Sequence, residues 1–459
     1  MGSAAIATGR RKRTFGDRVR ATPRFLVSIP VTLTTVGLLL LTGALTGTLF
    51  APASETDSTI TALEFGLPAF REGRIWTLFT GAVTFVEPEF YFFVGAMLAI
   101  GLGLYERRVG SLRAAVALIV CHSVGIVLPA VLLLPFAGSG WAWAATLADE
   151  LDAGLSAGGF GVAAAATALL TPPWRGRLRV LGTAFLAVMV IKSGLLWDLE
   201  HFVAWVTGLL IGPWLARKAI LARTGRPAEK RTGPAETRML TALIAGAFAI
   251  SNVVDALYPG VGGIIGPGVG VTQVRALWLI ILELVISLLI AGALPRPQAL
   301  AWWVAVVGVS AIAVNSLANT PVVPRTGDVV CALIVLGVLL WNHNAWPWRT
   351  DRSALRPLAV LAVIMVVFAA VTSVAIWAVR EQFQPVGNLP EILREAVARF
   401  TFTTGPLLPQ SSTARGVLAF TGVIWGVLLV GWLAWALYFP MLTGWRRSRR
   451  EVAVQPSDS

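Results

Sequence analysis

Charge is scarce in this chain. Lys, Arg, Asp and Glu together make up 13% of 459 residues, against about 25% in soluble domains, which excludes an ordinary water-exposed globule. Cysteine is rarer. Cys121 and Cys331 stand far apart inside apolar runs, so no disulfide framework is expected, only free buried thiols. There are three histidines, and no Cys, His or carboxylate group has metal-ligand spacing. No glycine-rich stretch follows a strand and carries the lysine of a phosphate loop. Neither a metal nor a cofactor is therefore expected.

What the chain has instead is apolar length. Hydrophobic residues reach 56%, with eighteen tryptophans and a mean hydropathy of +0.75. Runs of about 18 or more apolar residues recur, each able to cross a hydrocarbon core of about 30 Å as a helix. The pattern predicts an all-α polytopic membrane protein with about twelve spans, near 25–50, 88–105, 112–136, 154–171, 179–197, 200–216, 239–257, 272–294, 299–319, 326–342, 357–379 and 416–439.

The formal charge of +13 does not point to nucleic acid, because the basic residues occupy alternate connectors. They are Arg10, Arg11, Lys12, Arg13, Arg18, Arg20 and Arg24 before the first span, then "YERRVGSLR", "PPWRGRLR", the stretch 217–238, and "WRRSRR" after the last. Intervening connectors hold Glu55, Asp57, Glu64 and Glu72, then Asp149, Glu150 and Asp152. By the positive-inside rule both termini are cytoplasmic in a cell (inner) membrane, with basic loops facing anionic lipid. The expected organisation is a basic tail (1–24), a six-helix module (25–216), a basic linker (217–238), a second six-helix module (239–440) and a tail (441–459).

Within the first module, "GLSAGGFG" places Ser156 in the first turn of the fourth span, entering from outside. The sixth span enters from the same side and opens "EHFVAWVTGLLIG", so His201 stands at a similar depth. A hydroxyl and an imidazole at one level on two helices can form a nucleophile–base dyad. A packing reading competes with it. Gly154, Gly158 and Gly161 would form a small-residue face for close helix approach, which serine also suits, and His201 would be an interfacial ring beside Asp198 and Glu200.

These residues resemble the rhomboid family of intramembrane serine proteases. The family's G-x-S-G stands here as Gly154-Leu155-Ser156-Ala157, and its H-x-x-G-x-x-x-G as His201, Ala204 and Gly208. Trp76 in "RIWTLFT", and Glu106 and Gly110 in "LYERRVGSLR", are similar to further family positions. The resemblance covers roughly 25–216 and implies Ser156 as nucleophile, His201 as base and a membrane-protein substrate. It also implies oxyanion donors on the second span, where this chain has Phe90 and Val94, neither a side-chain donor. Losing one such donor costs about 10²- to 10³-fold in rate. Ala157 in place of glycine adds a methyl beside the nucleophile. The sequence thus favours a degenerate protease over an active one.

The second module resembles the membrane part of bacterial phosphatidylglycerol lysyltransferases, a synthase and flippase family. The likeness rests on "RTGDVVCALIVLGVLLWNHNAWPWRTDRSALRPLAVL", with Arg349, Asp351, Arg352, Ser353 and Arg356, and on "EILREAVARFTFTTGPLLP". The family's aminoacyl-transfer domain is not found in this sequence, so a separately encoded aminoacyl-lipid synthase and membrane lipids are the implied partners. Glu283, at the centre of a span, would cost about 2.5–3.5 kcal/mol if ionised there, with Asn315 and Ser310 as candidate partners. "GVGGIIGPGVG" follows a membrane helix on the outside and is read as a turn or re-entrant segment. Three functions remain open at this point: lipid handling or scaffolding, an active rhomboid-type protease, and a transporter with its site near Glu283.

Overall fold

The computed structural model describes residues 27–56, 60–222, 233–258, 260, 263–264, 277–319, 326–347 and 355–454, the last stretch from 440 as backbone alone. The basic tail 1–24, most of the linker, most of "GVGGIIGPGVG" and the connector positions Arg349, Asp351, Arg352 and Ser353 lie outside the described residues. Among the described residues the architecture is all-α apart from one two-stranded antiparallel pair, and each predicted span contains a helix. Among the described residues six helices are long and apolar enough to cross a membrane: Pro88–Val109, Ser111–Phe136, Pro234–Leu257, Ala299–Leu317, Arg356–Ala378 and Ser412–Phe439. Four shorter apolar helices accompany them.

The chain divides into two units. The first comprises Met1–Arg231 with Pro259–Val271 and Asn319–Gly327. The second comprises Thr232–Tyr258, Thr272–Ala318 and Asp328–Ser459.

In the first unit the helices are α1 (Pro30–Thr46), α2 (Leu67–Arg71), α3 (Thr77–Thr80), α4 (Pro88–Val109), α5 (Ser111–Leu133), α6 (Ala142–Asp149), α7 (Ser156–Ala166), α8 (Trp174–Lys192), α9 (Leu196–Leu215) and α10 (Arg217–Leu221). Pro30 and Pro88 open their helices, where a missing N–H costs nothing. Gly110, at φ 90, ends α4 and starts α5, so a single residue reverses the chain. Glu106, one turn earlier, accepts from the amides of Val31 and Thr32 at 2.9 Å each and from the Thr32 hydroxyl at 2.7 Å. A carboxylate on α4 therefore caps the N-terminus of α1, where the helix dipole favours negative charge.

The centre of this unit is α7, packed against α4, α5 and α9. Small residues make that possible. A Cβ added at Gly161 would stand 2.3 Å from Cys121 Cβ, and one at Gly212 would stand 2.6 Å from Ala165 Cα. Backbones so close leave room for hydrogen alone.

The second unit holds α11 (Pro234–Leu257), α12 (Leu277–Ala293), α13 (Ala299–Asn319), α14 (Thr326–Trp341), α15 (Leu355–Ala378), β1 (Phe383–Gln384), α16 (Leu389–Phe400), β2 (Leu408–Pro409) and α17 (Ser412–Val454). Tryptophan N–H groups tie its helices to backbone carbonyls: Trp302 to Leu339, Trp346 to Leu294 and Trp432 to Pro357. Asn388 and Glu391 form a capping box at the start of α16, as their spacing dictates. The last helix runs to Val454, beyond the expected end of its span near 439.

Candidate active site

Ser156 is the first residue of α7. The turn before it is shaped by Gly154, at φ 120, a left-handed conformation that disfavours any side chain. A Cβ there would also meet the Phe85 ring at 2.1 Å, and the Gly154 amide donates to Gly81 O at 2.8 Å. Gly154 therefore lies in the entry turn, not on a helical packing face as the G-x-x-x-G spacing suggested. Gly158 and Gly161 do lie on α7: a Cβ at Gly158 would stand 3.0 Å from Leu118 and 3.1 Å from His122.

The hydroxyl and the imidazole meet. Ser156 Oγ lies 2.8 Å from His201 Nε2, within hydrogen-bond range for proton transfer. Both residues are partly buried. Phe160, one turn beyond Ser156 on the same face of α7, lies against the imidazole with ring centroids 4.6 Å apart and planes inclined by 40°. Its sequence signal is the i, i+4 spacing from Ser156.

Phe90, Val94 and Ala157 contribute only apolar surface. Phe90 lies at 6.4 Å from Phe85 and 6.3 Å from Trp197, ring centroid to centroid, and Val94 is buried in the core with Leu98 and Tyr91. Neither offers a donor. Ala157 is buried among Phe65, Leu78, Ile126 and Ala204, so its methyl fills a helix junction. The donors left are backbone amides, since the first N–H groups of a helix have no acceptor within it.

His122, on α5, bonds through Nε2 to Leu78 O at 3.0 Å and meets the Phe65 ring edge-on at 5.7 Å, a tie between α5 and α3. His343 belongs to the second unit and bonds Leu340 O. Glu283 lies on an exposed side of α12, and Asn315 on an exposed side of α13. Among the described residues no group of three or more His, Cys, Asp or Glu side chains is placed to hold a metal ion.

Acidic residues gather beside the dyad, which sequence spacing did not reveal. Phe65 and Asp152 exchange backbone hydrogen bonds at 2.9 and 2.8 Å, which brings together the segments that carry Glu64, Glu150 and Asp152. Burial holds the carboxyls of Glu64, Glu150 and Asp152 above the usual carboxylate range; the charge of Asp152 adds to this at Glu64 and Glu150, and Arg74 opposes it at Glu64. The Asp152 side chain is hydrogen-bonded to that of Glu200, four residues ahead of Ser156 and one ahead of His201 respectively. Asp198 accepts from the Ser193 hydroxyl and from the Leu195 amide at 3.0 Å, which fixes the start of α9.

Comparison with protein-family models, curated proteins and solved structures finds no match to this chain.

Proposed function

We propose that this chain is an intramembrane serine hydrolase of the rhomboid type, with Ser156 as nucleophile and His201 as general base, acting on peptide bonds of membrane-embedded segments. The observation that carries the proposal is the 2.8 Å contact between Ser156 Oγ and His201 Nε2, made between two helices whose close packing leaves little play. That contact favours catalysis over the degenerate scaffold that Phe90, Val94 and Ala157 suggested in the sequence.

The chemistry follows from the dyad. The Ser156 hydroxyl donates to Nε2, and Oγ attacks the scissile carbonyl carbon as Nε2 takes the proton. The tetrahedral oxyanion forms beside the N-terminus of α7, where free amides and the helix dipole favour negative charge. Imidazolium then protonates the leaving amine. Water, deprotonated by the same imidazole, hydrolyses the acyl-enzyme. With no side-chain oxyanion donor at Phe90 or Val94, turnover should be slower by about 10²- to 10³-fold than in a site that has one.

In this reading the chain makes twelve crossings of a bacterial inner membrane with both termini cytoplasmic, and the dyad opens to the outer side. The charge asymmetry of the connectors supports that sidedness.

A fluorophosphonate probe tests the proposal. It forms a Ser156 Oγ–phosphorus bond, expels fluoride and needs His201 to accept the hydroxyl proton. Purified protein should take label, and Ser156→Ala and His201→Ala should take none. Label that persists in Ser156→Ala, or its absence from the wild type, overturns the proposal.

A further inference from the structure

The segment 379–411 joins two helices of the second unit that are each long and apolar enough to cross a membrane, Arg356–Ala378 and Ser412–Phe439. Its two ends are held together, since β1 pairs with β2 and the Gln410 amide donates to Gln382 O at 2.8 Å. Between them α16 does not lie across the helix ends. Its last residue, Phe400, meets Phe368 of α15 at 5.6 Å and Trp425 of α17 at 4.8 Å, ring centroid to centroid, and the Trp425 indole donates to Phe400 O at 3.0 Å. At about 1.5 Å per residue, Phe368 stands about 15 Å from the end of α15 at Ala378, and Trp425 about 20 Å from the start of α17 at Ser412. A hydrocarbon core is about 30 Å thick, so α16 ends near the middle of it. It begins near the surface, because Ile392 packs with Phe383 of β1 and with Ile376 in the last turn of α15.

The chain then turns back. Phe402, at φ 56, reverses it, and the Thr403 amide returns to Ala398 O at 3.1 Å. The Leu407 amide bonds Glu395 Oε2 at 3.1 Å. Glu395 is 0% exposed and also takes the Arg399 guanidinium, so one buried carboxylate fastens the returning limb to α16.

Non-helical backbone survives at membrane depth only inside protein or against water. Here it is not inside protein. Thr401 and Thr404 are exposed, and among the described residues no hydrogen bond serves the amides of Thr404 and Gly405. A second sign of water is independent of the turn. Thr372 Oγ1 on α15 and Arg399 Nε on α16 are buried without a partner. Thr372 is 0% exposed and lies between Phe368 and Ile376, one turn from each, on the side of α15 that meets α16. Polar atoms that the protein leaves unserved in its interior are satisfied by water.

We propose that α16 and the turn after it form a re-entrant hairpin bordering a water-filled vestibule, through which small hydrophilic solutes reach the middle of the membrane within the second unit. Arg394 and Thr401, exposed and seven residues apart, mark the wet flank of α16. Leu389, Leu393 and Val397, exposed and spaced by four, form the flank that meets lipid chains. The Ser156–His201 chemistry plays no part in the vestibule, which therefore goes beyond the hydrolase reading. With both termini cytoplasmic, β1 and β2 stand at the outer surface and the vestibule opens there.

Single cysteines in the full chain, treated with a membrane-impermeant quaternary-ammonium thiosulfonate, decide the matter. The reagent converts a thiolate to a mixed disulfide and releases methanesulfinate. Wild type sets the background, because Cys121 and Cys331 are buried. Glu381→Cys, just beyond α15, reports the surface, and Val367→Cys, beside Phe368 and 56% exposed, reports lipid at mid-depth. The thiolate is the reactive form and a charge at the centre of a span is disfavoured by about 10²-fold, so Val367→Cys should react more slowly than Glu381→Cys by that factor. Thr401→Cys and Thr404→Cys should react at rates near that of Glu381→Cys and from the same side. A rate nearer to that of Val367→Cys at either position overturns the vestibule. Val367→Cys reacting as fast as Glu381→Cys overturns the re-entrant hairpin, since no lipid then covers α15 at that level. The comparison is made on whichever side labels Glu381→Cys, in whole cells or in inside-out vesicles, so a reversed topology is read separately from a failed vestibule.

Discussion

Gly208 of α9 faces the carbonyl oxygen of Gly161 of α7, and a Cβ added at Gly208 would stand 1.9 Å from that oxygen. No rotamer relieves such an overlap, because both partners are backbone. The two helices that carry His201 and Ser156 therefore approach as closely as they do only because neither has a side chain there. The Ser156–His201 distance and the helix spacing are one geometric fact.

Gly208→Ala should push α9 away from α7 and part the dyad. Overpacking of this kind costs about 1–3 kcal/mol, so the protein should still fold, with a lower thermal midpoint. Its labelling by the fluorophosphonate should fall far more than its stability, since displacing the base by about 1 Å costs about 10²-fold. Labelling at the wild-type rate in a folded Gly208→Ala protein would show that this contact does not set the dyad.

Phe160 carries a separate part of the positioning. Its ring lies against the imidazole of His201 and limits the tilt of the base. Aromatic pairs of this kind contribute about 0.5–1.5 kcal/mol beyond area burial, and 1.4 kcal/mol is about tenfold in rate. Phe160→Ala should accordingly slow labelling by up to about tenfold, and Phe160→Tyr should keep most of the rate. Equal rates for Phe160→Ala and wild type, measured at saturating probe, would assign the ring to packing alone.

How far the sequence led depends on which physical force set each feature. Hydrophobic length placed the helices, because a run of apolar residues in lipid has few ways to satisfy its backbone. Alternating charge in the connectors led to the expectation that Ser156 and His201 share one level, and the structure brings their side chains within 2.8 Å. Features made by loop closure were not legible. Gly154 reads as a member of a helical glycine face until the φ 120 turn and the Phe85 ring take it out of the helix. The Asp152–Glu200 bond joins a connector to a helix start across dozens of residues, and no periodicity reports such a contact. The β1–β2 pair, with Phe383 opposite Pro409, is two residues long and too short to leave a pattern of alternation.

The raised carboxyls of Glu64, Glu150 and Asp152 also make stability depend on pH, with a definite sign. A carboxyl whose folded value lies above its unfolded one binds more protons in the folded state, so folding is favoured at low pH and loses ground as pH rises. The loss begins near the usual carboxylate range and continues until the raised values are passed, after which the curve is flat. The thermal midpoint of the detergent-solubilised protein should therefore decline across that window. Asp152→Asn removes one titrating carboxyl and relieves its neighbours Glu64 and Glu150 of a nearby charge, so its midpoint should decline less over the same window. A wild-type midpoint that rises with pH there would mean that ion pairing, and not burial, governs these carboxyls.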